Sequence, residues 1–206
     1  MTRKRLLKIS RYVALTLGVL IAVLGALALY VLSWPDFGGS LEGARLERAQ
    51  RSKQYRDGAF ANDPPPPESD FGVNFAEWRG NQVRRPPAPF PRRRPSLPET
   101  PEPGLRAIWF GHATVLVEIG GRRVMTDPML SDRAFPVKLV APRRNDPPPI
   151  ALEQLPRIDV VTISHDHFDH LDMATIAGLA KRGTHFFVGL GVGAHLERWQ
   201  VPAVQI

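Results

Sequence analysis

The feature that most constrains this chain is a cluster of three histidines and two aspartates between residues 165 and 170. The cluster reads His-Asp-His-Phe-Asp-His and directly follows an apolar run at residues 158–163. That run is rich in β-branched residues and bounded by polar ones, which is typical of a short buried strand. The sequence therefore predicts a buried strand that delivers a polar cluster at its carboxyl end.

The spacing within the cluster suits metal binding. Side chains two residues apart in an extended segment point the same way, so His165 and His167 can hold one ion between them. Asp169 and His170 are adjacent and need a turn to converge, most naturally on a second ion. These donors suit zinc, with iron and manganese as alternatives. The competing interpretation is a solvated charged loop, but the position directly after a buried strand favours metal.

The cluster and its flanks resemble a known family. Residues 164–170, Ser-His-Asp-His-Phe-Asp-His, resemble the His-x-His-x-Asp-His signature of the metallo-β-lactamase superfamily. The flanking stretches are similar to the branch that contains N-acylphosphatidylethanolamine-hydrolysing phospholipase D and its bacterial relatives; they lie at residues 108–119, 125–130, 141–144 and 155–165. The resemblance begins near residue 105. It implies an α/β fold, the N-terminal half of an αββα sandwich.

The resemblance also implies roles for the cluster residues. His165 and His167 would bind one ion, and Asp169 and His170 the other. Asp166 stands at a variable position of the signature and is expected beside the ligands or in solvent. No catalytic group is assigned beyond the metal-bound water, and the implied cofactor is a pair of zinc ions.

Two further residues are candidates for contacting the metal ligands. His112 follows a predicted strand and is either a structural histidine or a neighbour of the metal site. Asp127 ends another predicted strand, where it either braces a metal ligand or caps the turn with Pro128. The glycines of residues 189–193 weakly resemble a phosphate-cradling loop, but the family resemblance implies a turn into a helix.

Residues 12–32 form an uncharged apolar segment that predicts a transmembrane helix. A helix of this length spans about 30 Å, the thickness of the hydrocarbon core. The alternative, a cleaved signal peptide, usually has an apolar run of about 7–15 residues, which is shorter. The preceding basic cluster predicts a cytoplasmic N-terminus and a single-pass protein of the bacterial inner membrane, with the catalytic domain periplasmic or extracellular. Its members are Arg3, Lys4, Arg5, Lys8 and Arg11.

Composition limits the partners and the chemistry. The net charge is +7 and the pI near 10.3, but the N-terminal basic cluster abuts the apolar segment, which favours anionic lipid headgroups over nucleic acid. No nucleic acid partner is expected. The chain has no cysteine, which excludes disulfides, thiolate ligands and a cysteine nucleophile.

The sequence predicts four regions along the chain. They are a basic flank at 1–11, the anchor at 12–32, a proline-rich lead-in at 33–104 and the metallo-β-lactamase-like domain at 105–206. Within the lead-in, residues 41–57 favour a short helix, and the prolines of 62–104 predict an extended stretch. That stretch is either a spacer or a segment docked by its aromatic residues, Phe71, Phe75, Trp78 and Phe90.

Strands and helices alternate in the last region, which is typical of a layered α/β domain. The predicted strands are 105–110, 114–119, 123–126, 158–163, 185–189 and 203–206. The predicted helices are 173–181, with Asp172 as N-cap and Gly183 as C-cap, and 194–199. Residues 131–150 are expected to form a loop, and 152–155 a single helical turn.

The chain stops at Ile206 within a predicted strand. The resemblance implies a third histidine, a bridging aspartate and a final histidine later in the chain; His185 and His195 are interpreted as ordinary strand and helix residues. We expect the sequence to be the N-terminal part of a longer enzyme, since a sheet cut at a strand leaves an unpaired edge. The alternative is a natural, inactive half-domain.

The combined expectation is a membrane-anchored, metal-dependent hydrolase. By resemblance, a metal-bound hydroxide would attack a phosphodiester, such as that of an N-acylated phosphatidylethanolamine. A lactonase or another ester hydrolase of the same superfamily is the alternative. Membrane lipids and a phospholipid or small-molecule substrate are the expected partners, and a homodimer remains open.

Overall fold

A computed structural model describes residues 3–66, 88, 91, 93–139, 141 and 143–206 of the chain. It divides the chain into two compact units, Met1–Phe37 and Gly38–Ile206. The four aromatic residues expected to dock the lead-in lie outside the described residues.

The first unit is dominated by one long helix, α1, over Arg3–Leu32. Its segment Ser10–Leu32, 23 residues long, is apolar enough to cross a membrane, and none of it is buried within the protein. This segment spans about 35 Å at 1.5 Å per residue. At its end the rings of Tyr30 and Trp34 pack edge to face, with centroids 6.1 Å apart. A 3-10 turn, Pro35–Phe37, follows the helix.

The second unit begins with a short helix and a hairpin. Helix α2 covers Gly43–Gln50, and strands β1 (Tyr55–Arg56) and β2 (Ala59–Phe60) pair antiparallel. The helix expected over residues 41–57 is therefore too long. Asp57 and Gly58 both have positive φ, 52° and 82°, which is the geometry that Asp-Gly favours in a two-residue hairpin turn.

The core of the second unit is a five-stranded sheet in the order β3-β4-β5-β6-β7. The strands are β3 (Leu105–Gly111), β4 (Thr114–Ile119), β5 (Arg122–Thr126), β6 (Val160–Ile163) and β7 (His185–Val188). The first three strands are antiparallel, whereas β6 is parallel to both β5 and β7. The predicted strands in this region are confirmed within one or two residues at each end.

Two helices cover one face of the sheet. Helices α3 (Met173–Ala180) and α4 (Gly193–Arg198) follow β6 and β7. Ile176, Leu179 and Leu196 from these helices share one buried cluster with sheet residues such as Leu116 and Met125. Asp172 caps α3 as predicted, because its side chain accepts a hydrogen bond from the Ala174 N–H.

The opposite face of the sheet carries exposed apolar side chains. Cross-strand neighbours Leu105 and Ile119 are 72% and 50% exposed, and Trp109 and Phe187 on the same face are 63% and 64% exposed. Within the described part of the chain, helices thus cover one apolar face of the sheet and no element covers the other. The fold is α/β and fits part of a lactamase-type domain, as the resemblance implied.

The predicted strand at residues 203–206 is wrong. The segment forms a 3-10 helix, Ala203–Gln205, in which the N–H groups of Gln205 and Ile206 bond to the carbonyls of Pro202 and Ala203. The Gln205 side-chain amide donates to the Ala180 carbonyl at 3.1 Å, and Val204 is 85% exposed. Local hydrogen bonds and one long-range contact hold the segment, although the buried Oε1 of Gln205 has no hydrogen-bond partner among the described residues.

A buried ion pair ties the lead-in to the sheet. Glu118 and Arg123 are each 1% exposed and lie 2.8 Å apart, and Arg106 also bonds to Glu118 at 2.6 Å. The Arg123 guanidinium donates further to the carbonyls of Pro98 and Glu99. Burial opposes ionisation of Glu118, but hydrogen bonds from both arginines outweigh it and hold its pKa below the ordinary value.

Candidate metal centre

The site lies at the edge of the sheet where β5 and β6 end. These strands are parallel and in register, with Thr126 opposite Thr162, so the segments that follow them leave the same edge. Asp127 follows β5, and the cluster begins after Ser164, which follows β6. The turn between β3 and β4 brings His112 to this edge. Sheet edges formed by the carboxyl ends of strands are where α/β folds place their ligands.

A tight turn brings the last cluster residues together. The N–H groups of His170 and Leu171 both bond to the His167 carbonyl, at 2.9 and 2.8 Å. Leu171 is buried in the core and fixes the end of the turn. Because of this turn, Asp169 and His170 face the same space although they are adjacent in sequence.

Asp127 is the buried carboxylate at the base of the site. Its Oδ1 accepts from the Ser164 N–H at 2.7 Å, and its Oδ2 accepts from the Ser164 hydroxyl at 2.8 Å. The same Oδ2 lies 3.0 Å from Nδ1 of His170. Burial would raise the pKa of Asp127, but the hydrogen bonds from His170 and Ser164 outweigh it and lower that pKa. Asp127 is therefore an ionised acceptor that braces His170, one of the two roles open from the sequence.

The same carboxylate reaches a second histidine through Ser164, a residue that no sequence pattern marks as part of the site. The Ser164 hydroxyl lies 2.8 Å from Nδ1 of His165. A hydroxyl has one proton, and Ser164 donates it to Asp127, so Nδ1 of His165 is the donor in this contact. With Nδ1 as the donor in both His165 and His170, the lone pair of each ring lies on Nε2, the atom that a cation could bind.

Three donor atoms converge above this network. Nε2 of His112 lies 3.0 Å from Oδ2 of Asp169 and 3.2 Å from Nε2 of His170. Donor atoms of His112, Asp169 and His170 all lie within 4.8 Å of one another, a grouping that can hold a metal ion. Two imidazole nitrogens and a carboxylate oxygen form a donor set that suits zinc. His112 therefore lies next to two of the residues expected to bind metal.

The other two histidines of the cluster lie beside this group. The ring centroids of His165 and His167 are 4.5 Å apart, and those of His165 and His170 are 4.1 Å apart. All four residues expected to bind metal are thus gathered at one edge of the sheet. Their chemistry fits a divalent cation, since imidazole and carboxylate groups face each other with no lysine or arginine among them.

Two backbone outliers stand within the site. His112 and Asp127 have φ of 46° and 38°, in the left-handed region that non-glycine residues seldom occupy. Such conformations cost about 1–3 kcal/mol each and cluster at functional sites. At both positions the strained backbone turns the side chain towards the cluster.

Asp166 points away from the converging donors towards His195. Its Oδ2 lies 3.6 Å from Nε2 of His195, whose Nδ1 accepts a hydrogen bond from the Gly39 N–H at 3.1 Å. The sequence predicts an ordinary helix residue at His195, and no local signal indicates this contact, which joins residues far apart in the chain. Phe168 packs edge to face on Phe135, with centroids 5.0 Å apart. The glycines of residues 189–193 form the turn into α4, as expected.

A pocket of about 530 Å³ opens beside His112 and Asp169. Arg144 holds one wall in place: its guanidinium donates to the carbonyls of Met129, Phe110 and Asp146, the last two at 2.7 and 3.1 Å. Gly111 is required at this point because its φ is 99°, and an added Cβ would also lie 2.8 Å from Nη2 of Arg144. Burial lowers the pKa of Arg144, and the carboxylates of Asp172 and Asp146 oppose that effect.

All donors of this site except His112 lie in a part of the chain that resembles a known family. Residues 122–206 match a family model described as a Beta-lactamase superfamily domain. An uncharacterized protein of Mycobacterium tuberculosis is 44% identical over 167 residues, which is 77% of this chain and 44% of that protein. The chain therefore spans less than half the length of this curated relative.

Two other relatives are named for their activity. The N-acyl-phosphatidylethanolamine-hydrolyzing phospholipase D 1 of Caenorhabditis elegans is 43% identical over 100 residues, covering 48% of this chain and 27% of that protein. A UPF0173 metal-dependent hydrolase of Aeropyrum pernix is 37% identical over 73 residues, covering 35% and 25%. Among solved structures, a mutant of CmlA beta-hydroxylase matches with a TM-score of 0.36 and 25% identity, over 50% of this chain and 21% of that one.

Proposed function

Because this chain carries part of a metallo-β-lactamase superfamily domain, we propose that it belongs to a membrane-anchored, metal-dependent hydrolase. The observation that carries the proposal is the convergence of His112, Asp169 and His170 at the carboxyl edge of the sheet. The buried carboxylate of Asp127 supports the proposal further, because it accepts a hydrogen bond from the Ser164 hydroxyl and contacts Nδ1 of His170.

We propose that His165 and His167 hold one zinc ion and that Asp169 and His170 hold a second. Bound zinc supplies Lewis-acid activation of water and stabilises the charge that develops on the substrate. Asp127 contacts Nδ1 of His170 directly and Nδ1 of His165 through the Ser164 hydroxyl, so Nε2 of each ring would be the atom that holds a cation. In this proposal His112 is not a ligand: its Nε2 lies 3.0 Å from Oδ2 of Asp169 and orients that carboxylate from the turn between β3 and β4.

The proposed substrate is a phosphodiester of the N-acylphosphatidylethanolamine type. The similarity to the C. elegans phospholipase supports this class, as does an N-terminal helix that is apolar enough to cross a membrane. In the reaction, a water oxygen bonds to phosphorus and the bond from phosphorus to the N-acylethanolamine oxygen breaks. The departing oxygen takes a proton from the water, and the products are phosphatidic acid and an N-acylethanolamine.

The activity is tested with N-acylphosphatidylethanolamine in mixed micelles and protein extracted from the membrane and loaded with zinc. We expect N-acylethanolamine release that a chelator abolishes and that added zinc restores. Asp169→Asn and His165→Ala should each lower the rate at least a hundredfold. His185→Ala is the matched control, because this exposed histidine begins β7, outside the site. Release that survives chelation or both site variants contradicts the proposal; hydrolysis of a lactone but not of the phospholipid overturns only the substrate.

We also propose that Ser10–Leu32 crosses the bacterial inner membrane with its N-terminus in the cytoplasm. The absence of cysteine from the sequence permits a direct test with single introduced thiols. A membrane-impermeant maleimide applied to spheroplasts should label Ser40→Cys and leave Lys4→Cys unlabelled. The reverse pattern contradicts the orientation, and labelling of a soluble Ser40→Cys protein contradicts the anchor.

A further inference from the structure

The pocket beside the cluster is lined by side chains that the proposed chemistry does not use. It has a volume of about 530 Å³ and runs from Trp109 and Phe110 at the end of β3 to the loop at residues 143–149. His112 and Asp169 line one end, so a molecule in the pocket borders the metal centre. This volume is within the range of ligand-sized cavities, which is about 300–1,000 Å³.

One part of the pocket is apolar. Trp109 is 63% exposed, and its indole N–H donates to the His112 carbonyl at 2.9 Å, which fixes the ring. Met129, Ala134 and two prolines, Pro147 and Pro149, also line the space. An exposed tryptophan held in one orientation is well suited to pack against an alkyl or acyl chain.

The charged part of the pocket is predominantly cationic. Arg93, Arg143 and Arg144 line it, against the carboxylates of Asp146 and Asp169. Asp169 belongs to the proposed metal site, which leaves an excess of positive charge for a ligand. The guanidinium of Arg144 donates hydrogen bonds to three backbone carbonyls and so stabilises the wall of the pocket.

Arg143 differs from Arg144 in having its guanidinium available. The residue is exposed, and within the described part of the chain it forms no ion pair. Its backbone is held by a β-bridge to Arg133, whose guanidinium in turn donates to the Ala141 carbonyl at 2.8 Å. A guanidinium on a fixed backbone has the planar, two-pronged geometry that binds phosphate oxygens in pairs.

We propose that this pocket binds the substrate's phosphate-bearing, apolar portion, with Arg143 as the residue that selects the anionic group. The inference rests on the proposed hydrolase function for its biological meaning, and it adds a specificity residue outside the metal cluster. Trp109 and the proline-lined wall take the chain, and Arg143 takes oxygens of the scissile phosphate, which stays beside His112 and Asp169.

The test is a binding measurement that needs neither metal nor turnover. The full chain in nanodiscs of neutral lipid, treated with a chelator, is titrated calorimetrically with hexyl phosphate, inorganic phosphate and hexanol. Hexyl phosphate should bind at least tenfold more tightly than either of the others, because it alone engages both parts of the pocket. Equal affinity for hexanol and hexyl phosphate would contradict a role for the cation.

Two variants test the cationic part and the apolar part of the pocket separately. Arg143→Gln should weaken hexyl phosphate binding about tenfold, the loss of one charge-assisted contact. Ala134→Leu fills the apolar space and should reduce hexyl phosphate to the affinity of inorganic phosphate. Arg157→Gln removes the same charge from an exposed arginine outside the pocket and should change neither affinity. If Arg157→Gln weakens binding as much as Arg143→Gln does, the effect is net charge and the proposal is wrong.

Folding of each variant is checked by its thermal transition. If Arg143→Gln fails to fold, Arg143→Lys keeps the charge without the planar fork, and its affinity for hexyl phosphate should fall severalfold; an unchanged affinity overturns the proposal. Since binding is measured without metal, loss of hydrolysis with binding intact rejects only the enzymatic function. Hydrolysis that persists while Arg143→Gln leaves binding unchanged rejects only the pocket.

Discussion

Oδ2 of Asp127 lies 3.0 Å from Nδ1 of His170, and this contact sets the orientation of the candidate metal site. The two residues are 43 positions apart and leave neighbouring parallel strands at the same edge of the sheet. Because Asp127 also receives the Ser164 hydroxyl, which contacts His165, one carboxylate fixes the proton positions of two histidines. Groups of this kind tune metal affinity without touching the ion.

Replacing this carboxylate should weaken metal binding while the fold persists. Asp127→Asn keeps the size of the side chain, and asparagine tolerates the left-handed φ of 38° at this position. We expect zinc affinity, measured by competition with a chromogenic chelator, to fall about 10–100-fold. Asp57→Asn is the control, because Asp57 also has a positive φ, 52°, but lies in the turn between β1 and β2. Equal losses in both variants would mean that the carboxylate has no special role.

Gly111 should be intolerant of a side chain for two separable reasons. Its φ is 99°, and an added Cβ would lie 2.8 Å from Nη2 of Arg144. Gly104 has nearly the same φ, 100°, with nothing within 4 Å of the added Cβ. Gly104→Ala therefore measures the backbone strain alone, about 1 kcal/mol. Gly111→Ala should lower the free energy of unfolding by a further 1–2 kcal/mol or so in urea titrations; equal losses would contradict the clash.

Removing the charge of Glu118 should strongly destabilise the second unit. Glu118→Gln leaves the Arg123 guanidinium buried without its carboxylate, which typically costs about 3–5 kcal/mol. Urea unfolding followed by tryptophan fluorescence measures the loss. Glu153→Gln, on an exposed turn, is the control and should change little. Adding Arg123→Met to Glu118→Gln should restore part of the stability, since it removes the unpaired charge; no recovery would contradict this account.

Acid should destabilise the protein through two carboxylates, those of Glu118 and Asp159. Burial opposes ionisation of Glu118 and Asp159, but arginine side chains and the Arg123 N–H outweigh it and lower the pKa of both. A depressed pKa in the folded state adds stability above the ordinary carboxyl pKa, and that stability is lost as pH falls through the folded value. The free energy of unfolding should therefore stay level from about pH 7 to 5 and fall below about pH 4. Glu118→Gln should flatten this decline, and an unchanged pH profile would contradict the assignment.

Short-range patterns in the sequence predicted much of this protein. The uncharged segment predicted a helix of membrane-spanning length, and α1 covers it. Strand and helix positions between residues 105 and 199 followed from β-branched runs, glycine turns and the Asp172 cap. The sequence also indicated which metal-binding side chains the cluster offers, because its histidines and aspartates lie within six consecutive residues.

The tertiary structure decided which donors meet and how they are oriented. The contacts of His112 with His170, of Asp127 with His170 and of Asp166 with His195 join segments that no local pattern relates. The segment at residues 203–206 shows the same limit: its apolar residues suggested a strand, but a strand needs a hydrogen-bonded neighbour, and local bonds with the Gln205–Ala180 contact replaced it. Spacing along the chain determines which groups are available, whereas sheet register determines which of them come within bonding distance.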